Sequence, residues 1–299
     1  MSDVIRRLER DHPGLLSTLS EELNPSDLQS LLIEVARRRS SRRSPGDVVR
    51  DYTESRFFAP ARSPAANFLA WDTLAAEVAQ ERFELLELSP MAPLGACAAV
   101  AKVGQNWSIA TVRKGEVISD PTNILAIEAA LRRKTSAEDI HLGASARVVR
   151  PQNYDAPGML AHFRLFALVS SGHSRGSVDF EAEALLRHLD FYCAAIGGFV
   201  PGVSLQLAVT GEPLLTAARD FASQRGIQFA EEERAAVAGY YAGFCFHICA
   251  GQPDGSWQQL ADGGLVDWGA RLTGNAKERT LISGIGVEGL LAQRGQAER

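Results

Sequence analysis

Two arginines at the start of a polar loop are the strongest candidates for chemistry in this sequence. Arg147 and Arg150 stand just before a stretch rich in Asn, Asp, Pro and Gly at positions 153–158. Arginine presents a planar fork of donors that suits a phosphate or a carboxylate. Two interpretations therefore stay open: the arginines are solvated at the end of a hairpin, or they clamp an anionic ligand.

The residues around the two arginines predict a hairpin from Arg147 to Val169. The first strand ends at 150–152, because Pro removes a backbone donor and Gly and Asn favour turns in the loop that follows. The return strand, Phe163 to Val169, is apolar on both faces, which is typical of a central strand. Of the two arginines, Arg150 lies nearer the loop.

A second candidate site lies in the stretch from Gly239 to Cys249, which alternates as a strand does. This alternation places Cys245, His247 and Cys249 on one face, where three soft ligands could hold a metal. Zinc normally takes a fourth ligand with its own spacing signal, and the sequence shows none. We therefore predict no metal site here.

The stretch from Gly284 to Gly289 matches the dinucleotide fingerprint GxGxxG. That loop functions only between the first strand and helix of a βαβ unit, with an acidic residue about 20 positions further on. The sequence reaches only Arg299. A strand that continues into a helix is the better prediction for this segment.

The composition is that of an ordinary globular protein. The 299 residues are 45% hydrophobic and 22% charged, with a net charge of -5, which argues against bulk electrostatic binding of nucleic acid. No apolar run approaches the roughly 20 residues that span a bilayer, and the N-terminus is not a signal peptide. We expect a cytoplasmic protein with no membrane partner, whose four cysteines are buried thiols rather than disulfides.

The N-terminal part predicts a helical extension. Residues 1–43 contain two or three helices, the clearest from Ser26 to Arg39. The arginines at 37–43 either contact a polyanion or solvate the end of this helix. Residues 44–64 are interpreted as a connector, which gives an extension at 1–65 and a core domain at 66–299.

The core alternates predicted strands and helices. Asp120 and Thr122 precede one helix, where they either cap its N-terminus or hold a ligand amine or hydroxyl. The predicted strands are at 83–88, 98–103, 107–112 and 203–209, and the predicted helices are at 72–80, 123–133, 180–195 and 214–225.

In this order, residues 72 to 292 resemble the catalytic core of class II aminoacyl-tRNA synthetases, in particular the histidyl branch and its regulatory paralogues. Glu87–Ala96 is similar to the first motif, Arg147–Phe166 to the second and Ser283–Leu291 to the third. The resemblance implies an α+β fold, in which an antiparallel sheet of about six strands is flanked by helices. It also implies a homodimer.

The resemblance also implies a ligand pocket. Arg147 takes the place of the arginine that holds the ATP α-phosphate and the carboxylate, and is the expected catalytic residue. The same alignment implies that the Arg147 guanidinium points into the concave side of the sheet. ATP with magnesium is the cofactor that the family implies, while the residues themselves leave the cofactor unknown. The expected ligand-binding residues are Asp120, Thr122, Arg150, Gln152, Tyr240, Tyr241, Gly263, Gly264 and Gly286.

Several departures from the family pattern argue against activation of histidine. Gly289 stands where the third motif has an arginine, Val149 where the second motif has a glutamate, and Ala236 where the histidyl branch has its catalytic arginine. Arginines of this kind stabilise transition-state charge, usually by a few kcal/mol each. The anticodon-binding domain of the histidyl branch is also expected to be missing, so tRNA is not an expected partner.

Three functional hypotheses follow. The first is a regulatory subunit that binds a small ligand, such as an amino acid or a nucleotide, or a protein partner, as the histidyl-like subunit of ATP phosphoribosyltransferase does. The second is an ATP-dependent ligase that adenylates a carboxylate for an acceptor other than tRNA, which the retained Arg147 favours. The third is a scaffold with an empty pocket. Under the first two, Arg147→Ala is expected to weaken ligand binding more than Arg150→Ala.

Overall fold

The computed structural model describes residues 2–152, 161–232 and 240–297. Within these ranges eight strands form one sheet and two short strands form another. In chain order the strands are β1 (Glu84–Leu85), β2 (Met91–Pro93), β3 (Gly115–Val117), β4 (Ile140–Val149), β5 (His162–His173), β6 (Leu205–Thr210), β7 (Gln228–Glu231), β8 (Cys245–Gly251), β9 (Trp257–Val266) and β10 (Glu278–Gly286).

The large sheet has the order β1-β4-β5-β10-β9-β8-β6-β7. Its six inner strands pair antiparallel, and only the edge strands β1 and β7 pair parallel with their neighbours. The expected antiparallel sheet of about six strands is therefore confirmed. Two short strands, β1 and β7, extend it at its edges.

The predicted hairpin is formed by β4 and β5, in a register that places Arg147 opposite Arg164. β5 lies between β4 and β10 and is largely buried, as its apolar sequence predicts. The polar loop at 153–158 lies outside the described residues. The hairpin itself is confirmed.

Helices cover both faces of the sheet. The longest helix, α7, begins with two acidic residues, which favour the positive N-terminal end of a helix dipole. The helices are α1 (Asp3–Asp11), α2 (Leu15–Ser17), α3 (Pro25–Ser40), α4 (Pro45–Glu54), α5 (Ala65–Ala79), α6 (Pro121–Arg133), α7 (Asp179–Phe199), α8 (Leu215–Arg225), α9 (Trp268–Thr273) and α10 (Val287–Ala297).

The main core lies between the sheet and helices α5, α7, α8 and α10. Its aromatic centre contains Trp71, Phe166 and Phe191, with Phe166 and Phe191 stacked at 5.1 Å. Stacked and edge-on aromatic pairs add about 0.5–1.5 kcal/mol each to the stabilisation from burial. A second core on the opposite face joins the sheet to α6 and α9 through Leu125 and Trp268.

A buried chain of polar side chains fixes α7 to the sheet. His188 of α7 contacts the hydroxyls of Ser170 at 2.9 Å and Ser283 at 2.7 Å, and Tyr192 donates to Ser283 at 2.8 Å. Ser170 also contacts His141 at 2.8 Å. Burial lowers the pKa of His141 to about 4 and holds the pKa of His188 well below its usual range, so both rings are neutral at pH 7.

The N-terminal helices differ from the rest of the fold, because α1 to α4 contain no buried residue. The segment that follows them contacts the hairpin: Arg56 donates to the backbone oxygens of Pro151 and Gln152, and His162 contacts the backbone oxygen of Ala59 at 2.6 Å. The boundary near residue 65 stays a prediction.

Residues 45–54, inside the predicted connector at 44–64, form α4. Ser44 and Asp47 make a reciprocal capping box, and Pro45 occupies the first helical position. Both features favour a helix start. The Ser- and Pro-rich composition concealed this signal.

The strands predicted at 98–103 and 107–112 were also wrong. Ala96–Val100 forms a π-helical turn, and Gln105–Trp107 forms a 3-10 turn. The first segment is rich in alanine, which favours helix over strand, and it follows Gly95 in a left-handed conformation with φ 91°. The strand that pairs with β2 is the short β3, further along the chain.

Three smaller expectations can be compared with the structure. All four cysteines are free, and Cys97, Cys245 and Cys249 are buried while Cys193 is half-buried. Among the described residues, no helix combines the length and the apolar character that a membrane span needs. The strand at the end of the chain does continue into a helix, as β10 and α10.

One buried ion pair ties α6 to the centre of the sheet. Arg133, the last residue of α6, donates to both carboxylate oxygens of Glu278 at 3.0 and 3.1 Å, and the two side chains are 4% and 5% exposed. Arg133 also donates to the backbone oxygen of Glu138 at 2.6 Å. The pair therefore joins helix, loop and strand.

We expect Arg133→Ala to lower the free energy of unfolding by about 3–5 kcal/mol, because it leaves the buried Glu278 carboxylate with only the His173 ring, at 3.3 Å, beside it. Arg132→Ala is the matched control, since Arg132 pairs with the 59% exposed Glu84 and such pairs contribute about 0–1 kcal/mol. Urea unfolding measures both. Equal losses in the two variants would contradict the structural role of the buried pair.

Candidate functional site

A cavity of about 510 Å³ lies on the α6 and α9 face of the sheet, and we call it the sheet cavity. β5, β9 and β10 form its floor, and the start of α6 and the segment at 97–107 form its walls. Its polar and aromatic lining includes Lys102, Trp107, Asp120, Thr122, Asn123, Arg150, Tyr240, Tyr241, His247, Gln259 and Asp262. A mostly apolar cavity with a few convergent polar groups is typical of a ligand site.

Asp120 connects the wall of the sheet cavity to Arg150. It is the N-cap of α6, where its Oδ1 accepts from the backbone N–H of Thr122 at 2.9 Å and from the Thr122 hydroxyl at 2.7 Å. Its Oδ2 accepts from Arg150 Nη2 at 3.4 Å, and Arg150 Nε donates to the backbone oxygen of Ser119 at 2.9 Å. The capping role of Asp120 is therefore confirmed, and its ligand role stays a prediction.

The second carboxylate of the cavity is Asp262, on β9. The Tyr241 hydroxyl donates to Asp262 Oδ2 at 2.7 Å. Asp262 as a whole is half-buried because the cavity reaches it, but the dense protein around its carboxyl group raises the pKa, and the Tyr241 hydrogen bond only partly offsets this effect. A carboxylate held in this way favours either a proton or a cation.

Two tyrosines stand over Asp262. The rings of Tyr240 and Tyr241 meet edge-on at 4.9 Å, and Tyr240 also packs edge-on against Trp268 of α9 at 5.7 Å. Burial raises the pKa of both hydroxyls well above the usual value. Both tyrosines are therefore neutral at physiological pH and act as donors or as aromatic surface.

Gly263 and Gly264 make space rather than line the cavity. A Cβ at Gly264 would lie 2.6 Å from Cδ1 of Tyr241 and 2.5 Å from the backbone oxygen of Phe244. A Cβ at Gly263 would lie 2.5 Å from Cβ of Ser283, on the other face of the sheet. Gly264 therefore lets the Tyr241 ring close on the sheet. The roles of both glycines in ligand binding stay predictions.

His247 lies opposite Asp262 in the β8–β9 pairing and lines the sheet cavity. Its Nδ1 is 3.3 Å from Oε2 of Glu232. Within the three described ranges, no group of three or more His, Cys, Asp or Glu side chains could hold a metal ion. The structure therefore places His247 beside the Glu232 carboxylate in the lining of the sheet cavity, which the alternation pattern alone did not indicate.

The expected position of Arg147 was wrong. Its guanidinium lies on the opposite face of the sheet, where it contacts Nδ1 of His162 at 2.8 Å, donates to Glu288 at 3.3 Å and stacks over Phe68 at 5.1 Å. Neighbouring residues of a strand point to opposite faces, and Val148 occupies the face that was assigned to Arg147. Arg150 is the arginine of this hairpin that reaches the sheet cavity.

Two other expected residues lie outside the cavity lining of the described chain. Gln152 donates to the backbone oxygen of Asn106 at 3.4 Å, and Gly286 ends β10 with open space around it. Their ligand roles stay predictions. Ala236 falls outside the described residues.

The sequence did not single out Asp262, Asn123 or Gln259, which the fold brings to the cavity. A signal for Asp262 exists, because it is an acidic residue inside a strand whose neighbours Leu260, Ala261 and Gly263 are not charged. Charged residues inside buried strands are rare unless they are paired or functional. Nothing local marks Asn123 or Gln259.

Comparison with solved structures gives the fold a context. Histidyl-tRNA synthetase from S. aureus matches with a TM-score of 0.57 and 13% identity, over 76% of this chain and 66% of that one, which is just under two thirds. An ATP phosphoribosyltransferase regulatory subunit/histidyl-tRNA synthetase from Bacillus halodurans matches with a TM-score of 0.58 and 11% identity, over 79% and 82%.

A pyrrolysyl-tRNA synthetase from Desulfitobacterium hafniense matches with a TM-score of 0.53 and 14% identity, over 84% of this chain and 74% of that one. The chain has the class II aminoacyl-tRNA synthetase fold. No family model and no curated protein matches the sequence. At these identities the likeness shows the fold alone and assigns no function to the sheet cavity.

The stability of the protein is expected to depend on pH through the carboxylates of the β8–β9 hairpin. The folded-state pKa of Asp262 is raised, so its ionised form destabilises the protein as pH rises above the usual Asp value of about 3.9. We expect Asp262→Asn to be more stable than the natural protein at pH 7, with a difference that shrinks toward pH 4. The asparagine oxygen still accepts the Tyr241 hydrogen bond.

Asp254→Asn, in the turn of the same hairpin, is the matched control. Hydrogen bonds from the side chain and backbone of Ser256 lower the pKa of Asp254, so this substitution should lower stability slightly at pH 7, and the difference should vanish as pH falls through the folded pKa. Urea unfolding at several pH values measures both. A less stable Asp262→Asn at pH 7 would show that this carboxylate is stabilising.

Proposed function

We propose that the protein binds a small ligand in the sheet cavity as a regulatory subunit, and that it does not charge tRNA. The main support for this proposal is that the positively charged side chains lining the cavity already form ion pairs within the protein. In the described lining Arg150 pairs with Asp120, and Lys102 pairs with Asp267 at 2.5 Å. The cavity keeps polar groups for recognition, while its cations are already engaged within the protein.

The residues around the cavity do not fit ATP as an activating enzyme uses it. Arg147 is engaged by Glu288 on the other face, and Gly289 has no side chain to stack on a base, although a Cβ there would meet only Gln258 at 3.8 Å. Removing such groups costs a few kcal/mol of transition-state stabilisation each. These residues support a binding function over activation of a carboxylate.

A regulatory role has a precedent in the same fold. The Bacillus halodurans structure is described both as an ATP phosphoribosyltransferase regulatory subunit and as a histidyl-tRNA synthetase. We extend the regulatory role to this chain as a proposal, together with a protein partner that it regulates. A cytoplasmic location stays a prediction from the composition.

The alternative is a ligase that adenylates a carboxylate with ATP and magnesium and transfers it to an acceptor other than tRNA. Arg147 was the residue that favoured this alternative. Its contacts with Glu288, His162 and Phe68 give it a role in packing α5 and α10 against the sheet. The alternative now depends on Arg150 alone, whose donors contact Ser119 and Asp120.

A thermal-shift screen of the amino acids and of ATP with magnesium tests the proposal. A ligand at 100 times its dissociation constant stabilises the fold by roughly 2.7 kcal/mol. We expect at least one amino acid to raise the melting temperature, with pyrophosphate–ATP exchange and histidylation of tRNA at background. Exchange above background with any amino acid would favour the ligase. No shift with any compound would overturn the binding proposal.

A pair of arginine variants locates the binding site. Arg150→Ala should weaken the amino acid found in the screen about tenfold or more, because a hydrogen bond to a charged group contributes roughly 1.5–3 kcal/mol. Arg147→Ala is the matched control on the opposite face and should leave the affinity unchanged. The reverse order would restore the placement of Arg147 that the sequence suggested.

We also propose a homodimer, in which the segment that resembles the first motif lies at the interface. Met91 in β2 and Leu94 directly after it are 38% and 53% exposed, so this segment offers apolar surface to a twofold interface. We expect sedimentation to give a dimer at micromolar concentration, and Leu94→Glu to weaken it. A monomer at that concentration would contradict the proposal.

A further inference from the structure

Helix α3 of the N-terminal part presents an apolar stripe that the described chain leaves partly uncovered. Leu28, Leu31, Leu32 and Val35 recur at the three- and four-residue spacing of one helix face. Leu31 and Val35 are 42% and 43% exposed, and α3 has no buried residue. Most helix stability in proteins comes from packing such a face against another surface. We therefore expect a further surface to cover the stripe.

The charges around α3 are divided between its two ends. Glu21 precedes the helix and Asp27 lies in its first turn, while five arginines and no acidic residue lie between 37 and 43. All of these side chains are exposed. Acidic residues at the start and basic residues at the end favour the helix dipole, which accounts for the order of the charges but not for the exposed stripe between them.

Two arginines of the basic end have no partner of opposite charge in their own chain. Arg37 and Arg38 both pair with Glu34, at 2.7 and 2.6 Å. Arg39 and Arg42 form no ion pair with any residue that the structure describes. The basic end of α3 therefore keeps positive charge for a contact outside the chain.

The acidic end is in the same state. The Asp27 carboxylate accepts from the Asn24 side chain at 2.6 Å. Neither Asp27 nor Glu21 pairs with an arginine, lysine or histidine in the described parts of the chain. Both ends of one helix thus carry unmatched charge, and the two charges are of opposite sign.

An antiparallel second copy of α3 fits the stripe and both ends. When two identical helices pair antiparallel about a twofold axis, the start of each lies beside the end of the other. Glu21 lies ten residues before Leu31, and Arg42 lies ten residues after Leu32. An axis between Leu31 and Leu32 therefore brings the two stripes together and places Glu21 of one copy near Arg42 of the other.

A polyanion fits the arginines alone. Leu31 and Val35 have no donor for a phosphate, and the acidic residues Glu21 and Asp27 near the other end of the stripe would repel nucleic acid or an anionic lipid surface. A second copy uses the basic end, the acidic end and the apolar stripe in one contact. Charge complementarity therefore favours the second copy.

We propose that α3 pairs antiparallel with α3 of a second copy, with the apolar stripe at the centre and oppositely charged ends side by side. This contact uses neither the sheet cavity nor the first-motif segment around Met91 and Leu94. It gives the N-terminal helices, which bury no residue in their own chain, a place in the assembly.

Cysteine cross-linking of the full chain tests the contact. Leu31→Cys places a thiol on the stripe, and Ser30→Cys, on the opposite side of the same helix, is the matched control. A short bismaleimide spans about the 8–10 Å between paired helices, so we expect it to link Leu31→Cys into a dimer about tenfold or more faster than Ser30→Cys. The natural protein, with its own four cysteines, gives the background. Equal rates for the two variants would contradict the proposal.

Charge reversal tests the antiparallel order. In the Leu31→Cys chain, Arg39→Glu with Arg42→Glu gives acidic residues at both ends, and Glu21→Lys with Asp27→Lys gives basic residues at both ends. We expect each reversed chain alone to link about tenfold or more slowly than the chain with natural charges, because like charges then meet. Co-expression of the two reversed chains with different tags should restore linking between them.

Circular dichroism of each variant shows that it is folded and helical. If the reversed chains link as fast alone as the chain with natural charges does, charge complementarity plays no part and the proposal is overturned. If no combination links above background, and the Glu21→Lys, Asp27→Lys chain gains affinity for phosphatidylserine vesicles or poly(U) RNA, α3 contacts a polyanion instead and the proposal is also overturned.

Discussion

The alternation of side chains along β4 between the two faces of the sheet determines which arginine reaches the sheet cavity. Val148 is fully buried in a small core with Ile118 and Leu165, and the neighbouring backbone N–H of Val149 donates to the Ile118 oxygen at 3.0 Å. A shift of one residue in this register would expose Val148 and bury Arg147 among apolar groups. The packing of one valine therefore selects Arg150 for the cavity.

The opposite face of the hairpin holds charges in a separate layer. Arg164 pairs with Asp72 of α5 at 2.7 Å, and its backbone N–H donates to Glu288 of α10 at 2.9 Å. Glu288 also accepts from Arg147, so a single carboxylate connects α10 to both strands of the hairpin. The residues that resemble catalytic motifs thus serve here to hold two helices against the sheet.

The sequence was informative where its signals were local or periodic. The hairpin, α6 and the β10–α10 unit each follow from apolar periodicity with Pro, Gly or capping residues at their ends. The sequence could not predict which side of the sheet Arg147 occupies. Arg147 and Arg150 are both near a loop, and the strand register depends on tertiary packing. The alanine-rich segment at 96–101 was misjudged for a similar reason, since short apolar runs fit a strand or a helix.

The site was only partly predictable on the same grounds. Asp120, Thr122, Tyr240 and Tyr241 are near one another in space as the resemblance implied. Asp262 was not identified, because its place in the cavity and its hydrogen bond from Tyr241 depend on how β8, β9 and β10 pair rather than on its own position in the sequence. The lining of a cavity is a property of the fold, and single motifs do not contain it.

The position of β10 has a consequence for how the chain folds. β10 follows both of its neighbours in sequence, yet it pairs with β5 on one side and β9 on the other, in the middle of the sheet. During synthesis, the edges of β5 and β9 that pair with β10 therefore stay unpaired until residues 278–286 leave the ribosome. Long-range pairing of this kind slows folding and exposes strand edges to other chains. Chaperone dependence in the cell is the expected cost of this strand order.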